Sequence, residues 1–399
     1  MVSQAQESGN SHKDIYYFFT YGICFFTLGL GLSALGPMLP YLADHVGVSL
    51  AQISFLFTAS SLGYMIGSTG GGRLYDRFKG HPLMLLALIL MIIMVVLIPL
   101  TTYFYLLLLI LFLLGLGQGT LDVGGNVNLL WVFQARVGPY MNALHFCFGV
   151  GAFLSPIIVH NVMRMAGGQL TWPYWTLAIL FLPTSIGLTT LSSPKNPEED
   201  VREDLSTPID TRLVALLILL FFLYVSVEGG FGGWIFTYAL ELNIASETSA
   251  SYINSVFWGA LTLGRLISIP LARKIVPSRL LVGNFLLGIF FLGLILFFPV
   301  NPIMVWICSA GLGMALSSVF PTLMALAESH LKITGSITGL FFLGTSLGAM
   351  VTPMILGQIF EYIGSFQIML ALFILICLGL AVLVALIFAS NSIGEKVRR

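Results

Sequence analysis

From Ile15 onward the chain is a succession of apolar runs separated by short polar turns. Each run reaches the roughly 20 residues that an α-helix needs to cross a bilayer. None alternates polar and apolar residues with period two, which excludes a transmembrane β-barrel. Composition agrees: 57% of the 399 residues are hydrophobic and 9% charged, where a soluble domain carries about 25% charge. The fold class is therefore all-α and integral to the membrane. The first 14 residues are polar, and the run after them is too long for the apolar part of a cleavable signal.

The runs define twelve expected helices, at 15–43, 50–75, 81–100, 103–134, 140–165, 172–192, 212–240, 249–274, 279–299, 302–329, 335–361 and 366–390. One long connection, 193–211, is rich in charge and proline and reads as a solvated linker. It separates an N-terminal six-helix bundle, 15–192, from a C-terminal one, 212–390, with tails at 1–14 and 391–399. Placing both termini in the cytoplasm puts every one of the 17 Lys and Arg residues on that side except Arg164. The four cysteines fall inside helices, where they serve as small apolar side chains. Internal repetition supports two halves. GLG at 115–117 recurs at 311–313, and GAFLSP at 151–156 matches GAMVTP at 348–353. Two parallel six-helix repeats imply a pseudo-twofold axis along the membrane normal and a cavity between them.

Twelve helices, a charged central loop and Gly72-x-x-x-Asp76-Arg77 after the second helix resemble the major facilitator superfamily over nearly the whole chain. The resemblance implies that Gly72, Asp76 and Arg77 belong to a cytoplasmic gate, although Lys79-Gly80-His81 departs from the usual continuation. Simple positive-inside loop charge is the other reading of those residues. Gly115-Leu-Gly117-x-x-x-Leu121-Asp122-x-x-x-Asn126 is similar to the fucose and glucose permease branch. Asn142-Ala-Leu-His145 and Glu228-Gly-Gly-Phe-Gly-Gly-Trp234 resemble sodium-dependent glucose transporters. Fucose permeases carry a second acid on the first helix, ahead of Pro-x-x-Pro. Here Pro37-Met-Leu-Pro40 is preceded by Ser33, so coupling through that pair of acids is not implied.

The polar residues inside apolar helices have their own physics. An ionised side chain at the bilayer centre costs at least about 2.5 kcal/mol. Gln118, Asp122 and Asn126 are spaced four apart, so each lies only about 40° from the last and they share a face. Gly115 on that face is expected to leave an open approach. A carboxylate flanked by amides suits a site for a cation, Na⁺ or H⁺, and for hydroxyls; the alternative is a carboxylate that locks helix packing. Asn128 points elsewhere and reads as a contact between helices. Glu228 is followed by Gly229, Gly230, Gly232 and Gly233, which favour either a kink beside the acid or close helix packing. No Lys or Arg is expected at matching depth, so Asp122 and Glu228 are both candidates to hold the coupling cation or a proton. Asn142 and His145 on the fifth helix are candidates to bind solute, with His145 as proton relay, hydroxyl donor or structural histidine. Trp234, Tyr238, Asn254 and Trp258 offer aromatic faces and an amide to a sugar, or serve as core.

There is no phosphate-binding loop, no dinucleotide fingerprint and no His/Cys/carboxylate cluster with metal spacing. The expectation is a non-enzymatic, cofactor-free secondary transporter of the plasma or bacterial inner membrane, monomeric, with no nucleic-acid partner. It would move a small polar solute, foremost a monosaccharide, by cation symport. The alternatives are a proton-coupled antiporter exporting drugs or metabolites, and a receptor or scaffold that transports nothing.

Overall fold

Apolar runs become helices, and three of the four breaks inside expected spans fall where a proline cannot complete the backbone ladder. A computed structural model describes residues 2–194, 211–272, 274–329, 331 and 335–397. Sixteen α-helices occur among them. The first nine are α1 Val2–Ser33, α2 Leu35–Val46, α3 Leu50–Ile53, α4 Phe55–Tyr75, α5 Gly80–Leu97, α6 Phe104–Phe133, α7 Val137–Met165, α8 Thr171–Phe181 and α9 Pro183–Thr190. The others are α10 Thr211–Glu241, α11 Glu247–Ala272, α12 Pro277–Phe297, α13 Pro302–Leu316, α14 Val319–Glu328, α15 Gly335–Tyr362 and α16 Phe366–Val397. Most of the expected linker, at 195–210, lies outside the described residues, as do Arg273, Lys332, Arg398 and Arg399.

Four expected spans are each made of two helices. Pro37, Pro183 and Pro321 lack the N–H that would bond the carbonyl four residues earlier, at Ser33, Ile179 and Ser317. The breaks α1/α2, α8/α9 and α13/α14 fall at those places. At the second, the Leu182 amide donates three residues back to Ile179 (3.1 Å). The fourth break, α3/α4 at Ser54, has no proline; there the Ser54 hydroxyl donates to the Ala51 carbonyl (2.7 Å). Eleven helical stretches among the described residues are long and apolar enough to cross a membrane. The expected sixth span, α8 with α9, is not one of them, with Thr171, Trp172, Pro173, Tyr174, Trp175 and Thr176 diluting its apolar character. The polar start is also helical, since α1 begins at Val2 where a tail was expected through residue 14.

Contacts divide the chain into two units, Met1–Ala34 with Ala59–Val201, and Leu35–Thr58 with Arg202–Arg399. The sequence suggested a division at the linker alone. The segment 35–58 groups with the second unit because side chains tie it there. Ser54 donates to the Met354 carbonyl (3.2 Å), Thr58 to the Met350 carbonyl (3.0 Å) and Gln358 to the Ala51 carbonyl (2.8 Å).

Inside each unit the same helix pairing recurs. In the first, α1 packs on α7, with Gly151 against the Phe26 carbonyl and Ser155 donating to the Leu30 carbonyl (2.7 Å). In the second, α10 packs on α15, with Gly348 against the Phe222 carbonyl and Thr352 donating to the Ser226 hydroxyl (2.7 Å). The shifts are 348 − 151 = 197 and 222 − 26 = 196, matching the repeat read from GAFLSP and GAMVTP. Small residues let the helices approach closely, the usual device in lipid, where apolar burial gives no drive between helices.

Candidate functional site

Asp122 is reached through glycine. On α6, Gly115 and Gly119 sit against the Ser60 and Tyr64 carbonyls of α4. On α4, Gly63 and Gly67 sit against the Phe112 and Leu116 carbonyls of α6. A Cβ at any of these positions would overlap the facing oxygen. The expectation that Gly115 opens an approach is therefore corrected: the space is filled by the α4 backbone. That close packing brings the Tyr64 hydroxyl to donate a hydrogen bond to Asp122 Oδ2. Asn126 Nδ2 donates to Asp122 Oδ1 and to the Asp122 carbonyl, both at 3.1 Å. Each carboxylate oxygen thus accepts from a neutral donor, and no described Lys, Arg or His pairs with the acid. Hydrogen bonds to a charged group contribute about 1.5–3 kcal/mol each, enough to offset much of the cost of placing Asp122 in an apolar helix. Both Asp122 and Asn126 remain partly open.

The other expected residues of the first unit scatter. Gln118 is 1% exposed and packs against Gly31 of α1, its Oε1 without a hydrogen-bond partner. It does not share the opening of Asp122 and Asn126, because the missing Cβ of Gly31 makes room for its amide on α1. Asn128 is buried and donates to the Gly124 carbonyl (2.7 Å) and to Met84 Sδ on α5 (3.6 Å), as a contact between helices. Asn142 is exposed on α7, and His145 is half-buried with its ring edge-on to Phe25 (5.4 Å). Gly72 is half-buried, and Asp76 and Arg77 are exposed in the turn after α4.

The second unit overturns one premise. Glu228, near the middle of α10, faces Arg265 Nη2 of α11 at 3.9 Å, with side chains 14% and 26% exposed. Arg265 falls inside the expected span 249–274 but is assigned by charge to its cytoplasmic side; it lies within α11 and faces Glu228, so a basic partner does stand beside this acid. Nor is α10 unwound at its glycines: it is helical throughout Thr211–Glu241. Its glycines serve close packing, Gly230 against Leu372 and Leu356, Gly232 against the Trp258 ring and Gly233 against Phe57.

Three of the expected sugar-binding groups are core. Trp234 is fully buried, donates Nε1 to the Pro353 carbonyl (2.9 Å) and packs against Phe57 and Phe360. Tyr238 is fully buried and donates to the Pro299 carbonyl (3.3 Å). Asn254 is fully buried with Nδ2 on the Gly232 carbonyl (2.6 Å). Trp258 is half-buried and its Nε1 has no partner. Sequence reasoning missed Tyr64 and Arg265. Paired Gly-x-x-x-Gly spacing on the second and fourth spans was the available signal for the first. For the second it was the apolar continuation Leu266–Leu271 beyond the arginine.

A model of the Major Facilitator Superfamily matches residues 21–353. A sodium-dependent glucose transporter 1 of Danio rerio is 30% identical, over 87% of this chain and 65% of its own length, so the chain spans just under two thirds of that relative. Its Homo sapiens counterpart is 28% identical over 84% of this chain and 72% of its own. The human major facilitator superfamily domain-containing protein 4A is 25% identical over 97% and 95%. Among solved structures, the nucleoside transporter NupG superposes with TM-score 0.76 at 13% identity, covering 93% of this chain and 99% of its own.

Proposed function

The chain belongs to the Major Facilitator Superfamily and is a multi-pass membrane transporter, and from that premise we propose that it is a cation-coupled symporter of a neutral monosaccharide. The observation that carries this reading is the Asp122 carboxylate, held on both oxygens by the neutral donors Tyr64 and Asn126 with no cationic side chain among the described residues in an ion pair with it. An acid that accepts on both oxygens is arranged as an ionised group, and its missing countercharge is what a coupling cation supplies. The Tyr64 hydroxyl and the Asn126 amide add oxygen ligands that suit Na⁺. Relatives named as sodium-dependent glucose transporters support Na⁺ over H⁺ and a sugar as solute. In this reading Asp122 takes the cation, while Asn126, Asn142 and Glu228 serve the solute. The two bundles alternate access to it, both termini are cytoplasmic, and the carrier works as a monomer without a cofactor. Asp76 and Arg77 belong to the cytoplasmic gate.

Uptake of labelled D-glucose into proteoliposomes tests the reading. Accumulation under an inward Na⁺ gradient, absent when K⁺ replaces Na⁺, is expected. Accumulation only under an imposed pH gradient would move the coupling ion to H⁺. Efflux driven by an inward proton gradient, with no sugar accumulation under any gradient, would overturn symport.

A further inference from the structure

We propose that Glu228 and Arg265 form a clamp for two adjacent hydroxyls of the sugar ring, an inference that rests on the chain carrying a neutral monosaccharide. A carboxylate and a guanidinium that serve only to hold two helices together close to the 2.7–2.9 Å of a charge-assisted hydrogen bond. Here the nearest approach is 3.9 Å, and both side chains keep part of their surface open. Two neighbouring polar groups adjoin the pair. Tyr224 lies one turn before Glu228 on the same face of α10, with its buried hydroxyl beside both the carboxylate and the guanidinium. Trp258, two turns before Arg265 on α11, reaches the α10 face at Gly232, one turn beyond Glu228, with its indole N–H unpaired. An unpaired buried indole N–H is costly and uncommon, and beside a loosely paired carboxylate and guanidinium it forms a binding arrangement.

The chemistry of the gap selects its ligand. Glu228 accepts only and Arg265 donates only, whereas a hydroxyl does both. One ring hydroxyl donates to Glu228 while its neighbour accepts from Arg265. The indole N–H then meets a third oxygen, and the indole ring covers an apolar C–H face. Because the pair is already neutral as a charge unit, it has no call for a cation or an anion, which leaves the coupling cation to Asp122. Arg265 is thus a specificity-determining residue, and its planar fork rather than its charge alone is what the clamp uses.

The test is isothermal titration of the purified full-length protein in Na⁺ buffer with D-glucose and its singly deoxygenated analogues. Removing either of two adjacent hydroxyls is expected to weaken binding about 10- to 100-fold, the span of a lost charge-assisted bond. R265K keeps the charge and loses the fork; it is expected to weaken D-glucose to a similar degree and to flatten the differences among the analogues. E228Q is expected to do the same from the other side and stands alone if R265K does not fold. D-glucose binding with unchanged affinity and an unchanged analogue pattern in the variants would overturn the clamp and leave the transport reading intact. No heat from any sugar with the unaltered protein would instead overturn the sugar reading, and the clamp with it.

Discussion

Asp122 and Glu228 are both carboxylates on apolar helices, and the proteins around them resolve the same problem in opposite ways. Asp122 is met by a phenol and an amide, both neutral donors. Glu228 is met by a guanidinium, so its surroundings sum to zero. The packing register shows that neither solution is a repeat of the other. Gly115 rests on the Ser60 carbonyl as Gly313 rests on the Phe257 carbonyl, so the shifts are 313 − 115 = 198 and 257 − 60 = 197. Applied to Tyr64 and Asp122, those shifts lead to Leu261 and Phe320, which are apolar. The scaffold is duplicated and the charge chemistry is not, a difference that the proposed division between a cation site and a solute site would use.

That contrast can be broken at several points. The largest effect is expected from G119A, whose new Cβ would overlap the Tyr64 carbonyl. Overpacking of this kind costs typically 1–3 kcal/mol and occasionally more; the thermal midpoint should fall, and cation binding at Asp122 should weaken while the Glu228–Arg265 pair is untouched. Next comes R265A, which leaves Glu228 unpaired. A fully buried pair would lose 3–5 kcal/mol; the 3.9 Å gap and partial exposure reduce this to about 2 kcal/mol. By contrast D122N, which removes an uncompensated charge, should leave the midpoint unchanged or raise it. Equal losses from R265A and D122N would erase the distinction between the two acids. Smallest is Y64F, which removes one donor while preserving the ring. Na⁺ affinity, read by titration, should change about 10-fold, with sugar binding in the absence of Na⁺ unaffected. A larger loss of sugar binding than of Na⁺ binding would place Tyr64 in the solute site.

Much of this was legible in the sequence, and the limits are physical. Run length gave the helices, and small-residue motifs gave the repeat, because both are local patterns. The depth and spacing of Asp122 and Asn126 marked them correctly as a pair, since residues four apart on a helix are neighbours whatever the tertiary fold. Tyr64 was not visible, because nothing local says that two spans approach until a Tyr on one reaches an acid on the other. Arg265 is assigned to the cytoplasmic end of its span because positive charge gathers on that side, and its balance comes from a helix that the sequence does not pair with it. Trp234 and Tyr238 looked like sugar platforms for their chemistry alone. Their burial against Phe57, Phe360 and the Pro353 and Pro299 carbonyls is a tertiary fact. The glycines of α10 could serve either bending or packing, and only the tertiary neighbours of Gly230, Gly232 and Gly233 reveal that these three pack closely.

The most direct test compares accumulation with exchange in D122N proteoliposomes. The variant is expected still to exchange labelled for unlabelled D-glucose across the membrane, since the proposed Glu228–Arg265 clamp is unaltered, but to accumulate none under an inward Na⁺ gradient. Full gradient-driven accumulation by D122N would contradict the assignment of Asp122 as the coupling group.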